Sequence, residues 1–153
     1  MYKQILVAVD NCDTSYEALE AAITLAKQLN AKLHILHVAD EYFVNYLGAG
    51  IGYEEYETSV KEAGKELLSQ MSKIASKSNV SFDTTLVELK NFHGRIEQKI
   101  IEVAQTWPAD LLVIGSHGRR GFHHFLLGSV SEGVTRISPI PVLLIRAKPA
   151  SSL

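Results

Sequence analysis

One cysteine, Cys12, stands in the 153 residues, so the chain holds no internal disulfide and no multi-cysteine metal cluster. No apolar run approaches the roughly 18 residues that a bilayer-spanning helix requires. The opening "MYKQILVAVD" lacks the basic region, long apolar stretch and small-residue cleavage site of a secretory signal, and a cytoplasmic protein is expected. Neither sign of charge is in excess: 15 Lys and Arg face 17 Asp and Glu, a net −2. No global field therefore draws nucleic acid or an anionic membrane, and any recognition of an anion must be local. Two common phosphate-binding loops are missing as well. There is no G-x4-G-K-[ST], and the first strand–helix turn, "DNCDTS", contains no glycine, which excludes the P-loop and the Rossmann fingerprint.

What is present is ordinary globular composition, 46% apolar and 21% charged, at a length that suits one domain. "KQILVAVD" (3–10) is a continuous apolar run, the pattern of a strand buried on both faces. "TSYE" (14–17) follows as a capping box with Thr14 as N-cap, and opens an amphipathic helix over 15–29. "AKLHILHV" (31–38) reads as a second strand, and 39–52, with Gly48, Gly50 and Gly52, as a loop. A long helix is predicted over 53–77, with Val60, Ala63, Leu67, Met71 and Ile74 on one side. "SFDTTLVEL" (81–89) alternates more than the first two strands, which suggests a sheet edge. Ile96, Ile100, Val103 and Ala104 mark a third helix stopped by Pro108. "DLLVIG" (110–115) is a buried strand, 129–137 a short helix, and "PVLLIR" (141–146) a last strand with Pro141 at its permitted first position. Strands alternating with helices predict a single doubly wound five-stranded parallel sheet with helices on both faces. Residues 1–148 are read as that one domain and 149–153 as a disordered tail.

Such sheets bind ligands beyond the carboxyl ends of their strands. Here those ends are Asp10 to Ser15, Val38 to Asp40, Glu88 to His93, and Gly115 onward. The last begins "GSHGRRGFHHFLLGS" (115–129), which places clustered glycine, arginine and histidine between a buried strand and a helix start. Glycine lets main-chain N–H groups turn inward without a Cβ, and the helix adds unsatisfied N–H groups and the positive end of its dipole. With His117, Arg119 and Arg120 close by, the stretch can form a polyphosphate cradle.

The spacing Gly115-x2-Gly118-x9-Gly128-Ser129 resembles the G-x2-G-x9-G-[ST] signature of the nucleotide-binding universal stress proteins. The likeness runs nearly end to end, through "ILVAVD", "HILHV", "ADLLVIGSHGRRGFHHFLLGSVSEGV" and "SPIPVLLIR". It implies an adenine nucleotide alpha hydrolase-like sheet of strand order 3-2-1-4-5, and a regulatory ATP-binding protein of the stress response, with AMP or ADP as other nucleotides. Asp10 matches the family acid near the adenosine, Val9 the adenine-pocket wall, and Val38 the residue whose backbone meets adenine. Gly115, Gly118, Gly128 and Ser129 match ribose- and phosphate-binding positions, flanked by Ile114, His117, Arg119 and Val130. The resemblance also implies Mg or Mn bridging the phosphates, and a homodimer through the fifth strand, Pro141 to Ile145. The chain departs from the family at "DNCDTS", where many members have Asp-Gly-Ser or Asp-Xaa-Ser.

Blander readings compete at several positions. Ser129 with Glu132 three residues on is itself a capping box, and Asp10 equally fits a brace for its own turn. Arg119 and Arg120 are adjacent and cannot both easily face one phosphate. His123 and His124 lack the further convergent ligands of a metal site, and His34 and His37 point to opposite faces of their strand. Cys12 fits a small semi-buried filler. An enzymatic alternative, slow ATP hydrolysis or autophosphorylation, would have Asp10 and Asp13 hold Mg²⁺, yet no convincing base accompanies them. A response-regulator receiver fails at the phosphoacceptor, since the third strand ends near Glu88 and the fifth in Arg146.

Overall fold

The computed structural model of the chain describes residues 1–40, 52–90, 94–117 and 128–146. Strand β1 (Gln4–Ala8) is followed by α1 (Asp13–Leu29), β2 (Lys32–Asp40), α2 (Tyr53–Lys77) and β3 (Phe82–Leu89). Helix α3 (Ile96–Thr106), β4 (Leu111–Gly115), α4 (Ser129–Ile137) and β5 (Val142–Ile145) complete the order. All pairings are parallel and the sheet runs β3-β2-β1-β4-β5, as expected. β3 is an edge strand, as its alternation suggested.

Side chains alternate across each strand, so the sheet has two cores. Ile5, Val7, Leu33, Ile35 and Val113 pack with Ala18, Leu19, Ala22 and Ala26 of α1 and Leu67 and Met71 of α2. Leu6, Ala8, Leu36, Leu112 and Ile114 face the other way, against Ile100 and Ala104 of α3 and Val134 of α4. Ile5, Leu6 and Val7 are fully buried, which is why β1 carries no alternation. Each such side chain contributes about 1.5–3 kcal/mol through burial. At the amino ends, Asp110 locks β4 to β1: its carboxylate accepts from the N–H groups of Lys3 (2.8 Å) and Gln4 (3.0 Å).

Four local expectations need correction. The N-cap of α1 is Cys12, in extended conformation (φ −152°, ψ 160°), so the helix starts at Asp13 and Thr14 lies buried within its first turn. β2 runs on to Asp40, two residues past its expected end. In α2 the inward face takes Gly64 and Leu68 with Leu67 and Met71, while Ala63 is exposed. Gly128, not Ser129, is the N-cap of α4 (φ −65°, ψ 157°), no side chain among the described residues caps that helix, and the Ser129–Glu132 capping box is not formed. The bounds of α2 are those expected, and α3 stops at Thr106, two residues before Pro108.

Candidate nucleotide site

β1 hydrogen-bonds to β2 on one side and β4 on the other, so the winding reverses between β1 and β4. Just beyond that point lie the turn Val9–Cys12 and the segment Ser116–His117. Val9 is the last residue tied to the β1–β2 ladder, its N–H donating to Leu36 C=O at 2.8 Å. Val9, Val38 and Ile114 are buried at the strand ends, Val9 on the α1–α2 side of the sheet and the other two on the α3–α4 side.

The Asp10 turn is braced from within. Its N–H donates to Ser15 Oγ at 2.7 Å, and one carboxylate oxygen accepts from Asn11 N–H at 2.7 Å. The bracing reading of Asp10 thus holds, alongside whatever its second oxygen does. Cys12 Sγ lies 3.4 Å from Ser15 Oγ and 3.6 Å from His117 C=O, bridging the two turns.

Across the gap, Ser116 C=O accepts from Gly128 N–H at 2.7 Å and from Ser131 Oγ at 2.9 Å. These two bonds pin the first turn of α4 to the end of β4, so both ends of the glycine-rich stretch are fixed. Ser129 is the first helical residue and is exposed, with Val130 half-buried beside it. With no side chain capping α4 among the described residues, its leading N–H groups are a donor set suited to an anion.

A cavity of about 490 Å³ opens beside this helix end. Its lining includes Ser129 and Val130 of α4, Asp40 at the end of β2, and Arg95 and Glu97 at the start of α3. Volumes of this size are typical of small-molecule sites. Its lining includes none of the turn Val9–Cys12, and takes in two of the expected site residues, Ser129 and Val130.

Gly115 has a further reason to be glycine. A Cβ there would lie 2.7 Å from Thr14 Cγ2 and 3.2 Å from Thr14 C=O, so the first turn of α1 fills that space. Its main chain is what it has to offer a ligand. Gly118, Arg119, Arg120, His123, His124 and the tail 149–153 lie outside the described residues. Among the described residues, no three His, Cys, Asp or Glu side chains are grouped to hold a metal ion, and no helix is long and apolar enough to cross a membrane. His34 and His37 do face opposite sides of β2: His34 stacks edge-on to Trp107 at 4.8 Å, while His37 reaches Val9 C=O.

Sequence reasoning passed over Ser15, Ser131 and His37, the side chains that hold these turns in place. The available signals were weak: a serine in the first turn of each helix, and the second of two histidines in "HILHV".

Residues 1–146 match the family model described as the universal stress protein family. The chain belongs to the universal stress protein family. Universal stress protein YxiE of Bacillus subtilis is 35% identical over 153 residues, covering 95% of this chain and all of that one. Universal stress protein MJ0531 of Methanocaldococcus jannaschii is 34% identical over 146 residues, 95% of this chain and 83% of its own. Among solved structures, the hypothetical protein MJ0577 superposes with a TM-score of 0.83 at 26% identity, over 98% of this chain and 99% of that one. Two further family structures carry nucleotides. One is a universal stress protein in complex with cAMP, TM-score 0.65 at 25% identity over 95% and 97% of the two chains. The other is from Archaeoglobus fulgidus in complex with dAMP, TM-score 0.66 at 25% identity over 94% and 98%.

Proposed function

We propose that this universal stress protein binds an adenine nucleotide, ATP in particular, across the carboxyl ends of β1, β2 and β4, and acts in regulation of the stress response. The observation that carries the reading is the start of α4, whose N-cap is a glycine with no side chain of its own, held beside the switch point by the two bonds to Ser116 C=O. Main-chain N–H groups at a helix start, with the dipole behind them, suit phosphate without any lysine. Val9 would wall the adenine and the Val38 backbone would meet it, Asp10 would meet a ribose hydroxyl, and Gly128, Ser129 and Val130 would meet phosphates, with Ile114 flanking them. His117, Gly118 and Arg119 complete the set on the strength of the motif spacing. The relatives solved with cAMP and dAMP support an adenine nucleotide as the ligand class. When bound with the nucleotide, Mg or Mn would neutralise phosphate charge. A homodimer through β5 is part of the same proposal.

The test is Gly128→Val. The N-cap backbone, at φ −65° and ψ 157°, is open to any residue, so the fold should survive. The added side chain stands where phosphate would meet the helix start. ATP affinity should fall beyond detection in a calorimetric titration while the melting temperature drops by only a few degrees.

A further inference from the structure

We propose that His37 is a positioning residue, which clamps the peptide unit between Val9 and Asp10 and so sets Asp10 for an adenosine; this rests on the nucleotide reading above. That peptide unit leaves the sheet at the end of β1, where main-chain pairing runs out. Both of its polar ends are held by side chains from other elements. On one side His37 Nδ1 lies 2.8 Å from Val9 C=O, and on the other Asp10 N–H donates to Ser15 Oγ at 2.7 Å. A peptide is planar, so fixing its carbonyl and its N–H fixes the plane and the direction in which the Asp10 Cα departs.

The chemistry at His37 is determined. A carbonyl oxygen only accepts, so the proton sits on Nδ1. The ring is 5% exposed, on the face of β2 that otherwise presents Leu33 and Ile35 to the core. A buried imidazole in that row is costly unless its polar atoms are paired, so its hydrogen bond accounts for it better than its bulk does. Helix α2 is cut back to admit the ring. At Gly64 a Cβ would lie 3.1 Å from His37 Cδ2 and 2.8 Å from Leu86 Cδ1. β2, α1 and α2 thus all contribute to holding one peptide at the mouth of the proposed site.

Three variants separate positioning from packing. His37→Phe keeps a ring and removes the donor; His37→Asn places an amide N–H at nearly the same distance from the main chain; Gly64→Ala pushes on the ring from behind. The probes are adenosine and inorganic tripolyphosphate, which report the two halves of the site separately. His37→Phe should weaken adenosine about tenfold, the scale of one lost hydrogen bond, and leave tripolyphosphate within about twofold. His37→Asn should recover most of the loss, and Gly64→Ala should fall between. In the ligand-free protein, amide exchange at Asp10 should quicken in His37→Phe, and imidazole ¹⁵N shifts of the wild type should show the Nδ1-protonated form. Equal loss of both probes, unchanged adenosine affinity, or an Asn variant no better than Phe would overturn the proposal. Failure of the wild type to bind either probe would sink the nucleotide reading instead. Asp10 exchange then decides the clamp alone, faster upholding it and unchanged overturning it.

Discussion

Ser15 and Ser131 occupy the third helical position of α1 and α4, and each reaches back to a strand end: Ser15 to the N–H of Asp10, Ser131 to the C=O of Ser116. The two turns that face each other across the switch point are therefore held by hydroxyls. Ser15→Ala would strip the acceptor from a partly buried N–H, at a cost of about 1–3 kcal/mol. Chemical denaturation should register that loss with an unchanged denaturant slope; a stability equal to wild type would remove Ser15 from the account. At this scale the sequence was only half legible. Gly115 and Ser129 stood out through motif spacing and Asp10 as the acid that ends the first strand, whereas Ser15 and Ser131 gain meaning only once each helix start is laid against its strand. Gly115 shows the same limit, since its close neighbour Thr14 is 101 positions away along the chain and nothing local announces it.

The elements themselves were read well wherever burial writes a clear period. Continuous apolar runs located β1 and β4, and the bounds of α2 were those expected. The errors fell at helix starts, at the carboxyl end of β2 and on the inward face of α2. Thr14 and Ser129 both have the right chemistry for N-caps, but an extended residue before each, Cys12 at two removed and Gly128 at one, takes the role. Capping patterns recognise side chains, whereas the cap is a matter of backbone angle. Between β2, β3 and α3 sits His34, 6% exposed, with Nε2 2.6 Å from Thr85 Oγ1 and Nδ1 without a partner among the described residues. Burial lowers its pKa below 6.5, with Asp83 opposing and Lys32 reinforcing. The unfolded chain then takes up this proton more readily than the folded one. Stability from this group is present above about pH 6.5 and is lost as the pH falls below it. The melting temperature should decline between about pH 7 and 5, and His34→Phe should flatten the decline; equal slopes in both proteins would contradict this. Asp83, whose pKa is lowered chiefly by its hydrogen bond to Lys32, acts in a separate window, giving stability above about 3.8 that is lost as its carboxylate protonates.

Taken whole, the molecule is one sheet with β3 and β5 as its edges. β5 is the less protected: Leu143 is 36% exposed within an apolar strand, and Ile137 at the end of α4 is 42% exposed. Unpaired apolar edges invite another chain, which is the physical case for a dimer there. Leu143→Lys should convert a wild-type dimer to a monomer in sedimentation without unfolding it, and a wild type that sediments as a monomer at all concentrations would refute the dimer. The parallel sheet with helices on both faces was legible because βα alternation leaves few topologies, and its strand order was implied by the family resemblance. The cavity beside α4 was not, since its walls come from the ends of β2 and β3 and the starts of α3 and α4. The central claim is that the main-chain N–H groups opening α4 grip the phosphates of an adenine nucleotide. Calorimetric titration of ATP into the wild type and into Gly128→Val tests it most directly. The account predicts one nucleotide bound per wild-type chain and none by a folded Gly128→Val; equal binding by both, or by neither, would contradict it.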